Sequence, residues 1–110
     1  MKDAQAQFIQ GTLDLLILRT LIYGPAHGHA VARHIQQASE ELRIETGSLY
    51  PALHRLEAQG LVRAGWQLSD KGKRARYYQL TAAGKRSLAA EQSRWDRFVL
   101  AMNRVLRPAE

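Results

Sequence analysis

The most regular hydrophobic pattern in the chain lies between residues 45 and 62. Leu49, Leu53 and Leu56 recur at intervals of four and three residues, which places them on one face of an α-helix. Gly60 can end this helix because glycine readily adopts a positive φ. The pattern therefore predicts a short helix with one buried face and one exposed face.

The exposed face of this predicted helix carries polar and aromatic groups. These are Tyr50, Pro51, His54 and Arg55, and the small polar residues Thr46 and Ser48 stand at the start of the helix as candidate caps. All six are candidate DNA contacts. If Ser48 caps the helix, Pro51 falls in the first turn, where its missing N–H is no loss. If the helix begins at Thr46, the proline requires a local adjustment of the backbone.

Two helices are predicted before this one. Residues 12–23 are apolar on nearly every side, so this helix must be buried on several sides. In so short a chain, this favours burial by a second subunit as well as by the chain's own fold. In that segment we expect Leu13 and Ile17 to contact the partner. Gly24 and Pro25 follow it as helix breakers. Residues 26–38 form the next helix, which starts near His27.

The rest of the chain predicts a β-hairpin and one long helix. Residues 61–66 and 77–80 are expected to be strands, with a basic tip between them. Thr81 can cap the last helix, residues 82–106, and Pro108 ends it. Leu88, Trp95 and Met102 stand seven apart along it, which is typical of a helix that packs on a partner helix.

The order of elements indicates a mainly α (α+β) fold of the winged helix-turn-helix class. In this layout the third helix enters the major groove of DNA, and a two-stranded wing lies near the phosphate backbone. We assign residues 1–80 to the DNA-binding domain and residues 81–110 to a C-terminal dimerisation helix.

Composition narrows the class of protein. The chain has 110 residues and no cysteine, which suits one modest core and excludes disulfides and thiolate metal sites. No apolar run reaches the roughly 18 residues of a membrane span, and residues 1–10 lack the order of a signal peptide. The expected location is the cytoplasm, with no membrane partner.

The positive charge is concentrated in the hairpin. The net charge of the chain is +6, and residues 61–80 alone carry five basic groups against Asp70. Such a patch indicates an anionic partner, although a solvated basic hairpin is the alternative interpretation. The candidate phosphate contacts are Lys71, Lys73, Arg74 and Arg76. Because Arg76 is close to a strand, it can also turn away from DNA.

Several roles remain open on the predicted third helix. Tyr50 can contact a base or pack its ring on the wing, and His54 can meet a base, a phosphate or solvent. Arg55 can read guanine or pair with a nearby acid. Glu57 is expected to be a structural ion-pair or cap partner, since DNA repels a carboxylate.

Neither a metal site nor an enzyme is indicated. His27, His29 and His34 are not spaced as ligands and have no carboxylate at a ligand spacing, so we interpret them as helix-start residues. No catalytic arrangement or glycine-rich phosphate loop is present, and no cofactor is expected. RNA binding is a weaker alternative, because the aromatic residues do not lie on an open sheet.

The sequence resembles the PadR family of bacterial transcriptional regulators. The matching stretches are GPAHGHAVARHI at 24–35, GSLYPALHRLEAQGLV at 47–62, Trp66 and YYQLTAAGK at 77–85. The likeness extends from about Gly11 to Leu106 and is similar to the family's small subclass, with a single C-terminal helix. His29 departs from the tyrosine that the family usually has there, which affects only a local contact.

This resemblance implies a homodimeric repressor that binds double-stranded DNA at a pseudo-palindromic operator. It also implies a possible small-molecule effector that releases the DNA. The interface is expected to include Leu88, Trp95, Phe98, Val99, Met102 and Leu106. Trp95 and Phe98 have two open roles, as dimer core or as a pocket for a flat ligand. A basic dimeric module that binds protein, with only non-specific DNA affinity, is the alternative function.

Overall fold

The computed structural model of the protein describes the backbone of residues 2–108 and the side chains of residues 11–108. The N-terminal helix, α1 (Lys2–Thr20), continues into one 3-10 turn at Leu21–Tyr23. It starts well before residue 12, the first residue of the predicted segment, because the alanines and glutamines that precede it favour helix without forming an apolar stripe. Gly24 ends the segment with a φ of 131°.

Helices α2 (Gly28–Ala38) and α3 (Thr46–Ala58) form the helix-turn-helix pair. Helix α3 starts at Thr46, with Glu45 at the N-cap position and no side-chain cap. Neither Ser48 nor Thr46 is therefore the cap, and Pro51 lies inside the helix. Of the two starts that the sequence left open, the structure has the one that requires adjustment at the proline.

A small antiparallel sheet packs against the helices. Its strands are β1 (Ala26–His27), β2 (Val62–Leu68) and β3 (Arg74–Leu80), in the order β1-β3-β2. The sheet thus has three strands rather than the two that were predicted, and β2 and β3 reach further towards the tip than expected. Only residues 69–73 remain as the turn.

The last helix, α4 (Ala82–Leu106), has the predicted bounds. The Thr81 hydroxyl accepts a hydrogen bond from the Gly84 N–H at 3.0 Å, which confirms Thr81 as the cap. With 25 residues, α4 is about 37 Å long, and it contributes to a molecule 58 Å in its longest dimension. No helix of the described residues is long and apolar enough to cross a membrane.

One hydrophobic core joins the helices and the sheet. It is formed by residues from every long element: Leu13, Ile17, Leu18, Leu21, Val31, Ile35, Leu49, Ala52, Leu53, Leu56, Val62, Tyr78, Leu80 and Leu88. Leu13, Ile17 and Leu88 are at most 5% exposed. Their predicted place in a dimer interface needs correction, because the chain's own fold already covers them.

Candidate nucleic-acid interface

Helix α3 presents a polar face to solvent because its apolar stripe anchors it in the core. Leu49 and Leu53 are completely buried. The residues on the other side are exposed, as predicted: Thr46, Ser48, Tyr50, Pro51 and His54. This face offers two hydroxyl groups, a phenol and an imidazole in one row, all of which can form hydrogen bonds with base edges or phosphates.

Tyr50 lies over the first residue of α2 and is 40% exposed. A Cβ atom added to Gly28 would lie 2.7 Å from the Cε1 atom of the Tyr50 ring, so only glycine leaves room for the tyrosine. The ring thus contacts the start of α2, an arrangement different from the predicted alternative of packing on the wing. One edge of the ring stays available to a ligand.

Arg55 belongs to a structural ion pair. Its Nη2 atom donates to Oδ1 of Asp14 on α1 at 2.7 Å, and both side chains are about two-thirds buried or more. The structure thus confirms that Arg55 pairs with an acid, and its contact with DNA stays a prediction. Burial raises the pKa of Asp14, although the Arg55 hydrogen bond and charge act in the opposite direction.

Arg76 forms a second structural ion pair, although its side chain also lines the groove beside the wing. Its Nη2 atom donates to Oε2 of Glu57 at 2.7 Å, which ties β3 to α3 and confirms the structural ion pair predicted for Glu57. The Arg76 Nε atom is buried without a partner among the described residues. Burial raises the pKa of the neighbouring Tyr78, and the nearby Arg76 charge lowers it.

The tip of the wing exposes the other three predicted phosphate contacts. Ser69 closes the turn: its N–H donates to the Lys73 carbonyl at 2.7 Å, and its carbonyl accepts from the Gly72 N–H at 2.9 Å. Gly72 takes the positive φ of 76° that this turn requires. The exposed cations are Lys71, Lys73 and Arg74. The Arg74 guanidinium lies 5.2 Å from the centre of the Trp66 ring, in a cation–π contact.

A groove of about 640 Å³ joins the wing to the start of α2 and to Tyr50. Its walls include His29, Arg33 and Trp66, which were not among the predicted site residues. Two signals could have found them. The first helix of a helix-turn-helix crosses the DNA backbone. Trp66 is an even number of residues from the buried Val62, so it lies on the same face of the sheet as Val62.

A second surface lies along α4. From Ala89 to Leu106 all residues except Glu91 and Asn103 are exposed. The exposed apolar side chains include the predicted interface residues: Trp95, Phe98, Val99, Met102 and Leu106. The rings of Trp95 and Phe98 are 6.0 Å apart. They line a mostly apolar groove of about 370 Å³ between α1 and α4, together with Gly11, Thr12, Leu15, Glu91 and Arg94.

The histidines have structural contacts at the start of α2. The Nδ1 atom of His27 accepts a hydrogen bond from the Ala30 N–H at 3.0 Å and so caps the helix. Its ring meets Tyr77 edge-on at 5.4 Å. The residues that the structure describes contain no group of three potential metal ligands.

A helix-turn-helix with a basic wing, an exposed face on its third helix and a long C-terminal helix defines a winged helix-turn-helix protein of the DNA-binding class. Residues 17–90 match the transcriptional regulator PadR-like family, and the chain belongs to this family. It is therefore a DNA-binding transcriptional regulator, in a family of regulators rather than of enzymes.

Similar proteins agree with this assignment. A transcriptional regulator of Mycobacterium tuberculosis is 31% identical over 86 residues, which cover 78% of each chain. A transposon-encoded protein of Streptomyces fradiae is 47% identical over 78 residues, covering 71% of this chain but only 21% of its own length. The structure of a transcriptional regulator from Clostridium thermocellum has a TM-score of 0.80 and 28% identity, covering 89% of this chain and 96% of that chain.

Proposed function

We propose that this protein is a homodimeric repressor that binds a pseudo-palindromic operator and releases it when a small molecule binds. Residues 1–80 bind DNA in this proposal, and residues 81–110 form the dimer. Two surfaces support the proposal. The first is the groove lined by Tyr50 and by the wing, and the second is the uncovered apolar stripe of α4.

The observation that carries the DNA-binding role is the shared orientation of α3 and the wing. Tyr50 from α3, Arg33 from α2 and the wing cations Lys73 and Arg74 line the same groove. Phosphate oxygens would meet the cations, and base edges would meet the exposed row of α3. The ion pairs Arg55–Asp14 and Arg76–Glu57 hold α3 between α1 and the wing.

The apolar stripe of α4 supports the homodimer. Phe98 and Met102 are each 44% exposed and Leu106 is 65% exposed, on a helix that the rest of the chain leaves uncovered. Large apolar patches on small proteins mark interaction sites, and a two-fold axis lets identical stripes cover one another. A two-fold dimer would present two α3 helices to half-sites about one turn of DNA apart.

The apolar groove beside Trp95 and Phe98 supports the effector. A flat apolar molecule could lie against these rings in a groove of about 370 Å³, near Glu91 and Arg94 as polar anchors. Because the groove lies on the proposed interface, occupancy would change how the two α4 helices pack. A changed packing would alter the distance between the two α3 helices and so weaken operator binding.

The first experiment is selection of bound sequences from a random DNA library, followed by titration at two salt concentrations. We expect a pseudo-palindromic product that the protein binds far more tightly than random DNA. If binding is weak, highly salt-sensitive and free of any enriched motif, the regulator reads no sequence, and the protein-interaction alternative replaces the proposal.

The selected operator then tests the exposed face of α3. Tyr50→Ala and His54→Ala should lose discrimination between operator and random DNA by about 1–3 kcal/mol for each good base contact. Arg55→Ala is the contrasting variant, because the Arg55 guanidinium is bonded to Asp14 on α1. An equal loss of affinity for operator and random DNA would make Tyr50 and His54 phosphate contacts instead.

A further inference from the structure

His29 is the second residue of α2, and it is exposed in the wall of the groove between the wing and Tyr50. This groove is here called the wing groove. Arg33 lines it as well, one turn further along α2, so the two side chains share one face of the helix. His29 therefore belongs to the surface that we propose for DNA, although the sequence gave it no role there.

The two histidines at the start of α2 have different contacts. The Nδ1 atom of His27 accepts the Ala30 N–H, and the His27 ring meets Tyr77, so the fold holds this imidazole in place. Among the residues that the structure describes, His29 forms no hydrogen bond or ion pair, and its ring lies 6.4 Å from that of His27. Both ring nitrogens of His29 are thus left for a ligand.

The charges around His29 favour an anion in the wing groove. The charged and titratable residues of its wall come from β1, α2, α3 and the wing: His27, Arg33, Tyr50, Asp70, Lys71, Lys73, Arg74 and Arg76. With the histidines neutral, five cations against one carboxylate give the wall a net charge of +4. Glu57 pairs with Arg76 but does not line the groove. The positive end of the α2 dipole, at Gly28 and His29, also favours a phosphate.

His29 differs from the cations of the wall because its charge depends on pH. Histidine changes its charge between about pH 5 and pH 8, where lysine and arginine stay protonated. The neutral ring has one N–H donor, whereas the protonated ring has two donors and a positive charge. Phosphate oxygens accept charge-assisted hydrogen bonds, which are roughly twice as strong as neutral ones. A phosphate beside His29 would therefore favour its protonated ring.

We propose that His29 is a phosphate-binding residue of the wing groove and that its contact with DNA takes up a proton from solvent. The inference rests on the proposed function, which places the DNA backbone in this groove. DNA binds the protonated form of His29 more tightly than the neutral form. The affinity for DNA therefore rises as the pH falls through the range in which histidine titrates, and this gain is lost as the pH rises.

The test is the binding of a short random-sequence duplex to the full chain at about pH 7.5 and about pH 5.5. The wild type should bind several-fold more tightly at the lower pH, and His29→Gln should lose most of this gain. The matched control is His34→Gln, because His34 is also exposed on α2 but does not line the wing groove. This control should respond to pH as the wild type does. His54→Gln measures the separate share of the histidine on α3.

The salt dependence of the same binding gives a second readout. Each phosphate contact adds about one to the slope of log K against log salt. The slope of the wild type should be steeper at the lower pH by about one for each bound subunit, and that of His29→Gln should stay the same at both pH values. A residue with only a structural role would change the affinity equally at both pH values.

The proposal is overturned if His29→Gln keeps the full pH dependence, or if the wild type shows none. The wing variant Lys73→Ala with Arg74→Ala separates this result from a failure of the proposed function. If the wing variant loses affinity while His29→Gln behaves as the wild type, the groove stands as the DNA site and only the role of His29 fails. If the wing variant binds as tightly as the wild type, DNA lies elsewhere and both proposals fail. Circular dichroism at both pH values confirms that each variant is folded.

Discussion

At the scale of single residues, Gly84 shows how closely α4 approaches the rest of the domain. A Cβ atom at this position would collide with the Leu61 carbonyl and lie 2.8 Å from Cδ1 of Leu80. Gly84 is therefore a site where two segments of backbone approach each other closely. Glycine here lets the first turn of α4 pack against the end of the helix-turn-helix unit.

We therefore expect Gly84→Ala to reduce the free energy of unfolding by about 1–3 kcal/mol, as overpacking does in other cores. The control is Gly47→Ala, because Gly47 is also helical but has nothing within 4 Å of the added atom. That substitution should stabilise the protein by up to about 1 kcal/mol through its higher helix propensity. Urea denaturation measures both, and equal effects would contradict the packing argument.

Asp14 gives a prediction about pH. Burial raises its pKa above the ordinary value of 3.8, so the folded state binds the proton more tightly than the unfolded state does. The contribution of Asp14 to the free energy of unfolding is therefore fully present below pH 3.8 and is lost as the pH rises through the raised pKa. At neutral pH the ionised Asp14 is supported by Arg55, whose charge only partly offsets desolvation.

The wild-type protein should accordingly gain stability relative to Asp14→Asn when the pH falls from 7 towards 4. Denaturant midpoints of both proteins at several pH values provide the measurement. Asp70→Asn, a substitution in the exposed wing turn, controls for the loss of a carboxylate in general. A constant difference between wild type and Asp14→Asn across this range would mean that Asp14 titrates alike in the folded and unfolded states.

At the scale of elements, local signals predicted the last helix well, and the start of α1 and the sheet less well. The bounds of α4 follow from a capping threonine, Thr81, and from Pro108 beyond its end. The strand Ala26–His27 has no pattern of its own, because two residues cannot show alternation, and it exists only through pairing with Tyr77 and Tyr78. Backbone pairing likewise extends β3 to Arg74 through a stretch that is too polar to read as a strand.

The wing is the element whose charge has a measurable consequence. Lys73 and Arg74 are exposed and face the proposed DNA groove. Replacing both with alanine should weaken binding to all DNA alike and reduce the slope of log K against log salt by about 2, one for each lost phosphate contact. Lys85→Ala with Arg86→Ala removes the same charges outside the groove and should leave the slope nearly unchanged. A slope that stays the same in the wing variant would place phosphates elsewhere.

At the scale of the whole molecule, some residues of the candidate site could be identified from the sequence and others could not. The exposed row of α3 followed from the apolar stripe on its other side. The ion pair of Arg55 with Asp14 joins residues far apart in the chain, and only the packing of α1 against α3 brings them together. The same packing buries Leu13 and Ile17, so an apolar segment that favoured a partner subunit is covered mainly by its own chain.

The apolar stripe of α4 remains uncovered in the single chain. A substitution of Trp95 tests whether a partner subunit covers this stripe. Trp95 is 37% exposed and lies beside Phe98, at the centre of the stripe. Large aromatic residues at the centre of an interface contribute about 2 kcal/mol or more to association, so Trp95→Ala should raise the dimer dissociation constant at least about 30-fold. Leu100→Ala, which removes an exposed apolar group from another side of α4, should leave association unchanged. Sedimentation of both variants at micromolar concentration provides the measurement. If Trp95→Ala remains as dimeric as the wild type and unfolds at the same temperature, the stripe has some function other than self-association, and a different protein becomes the better candidate for its partner.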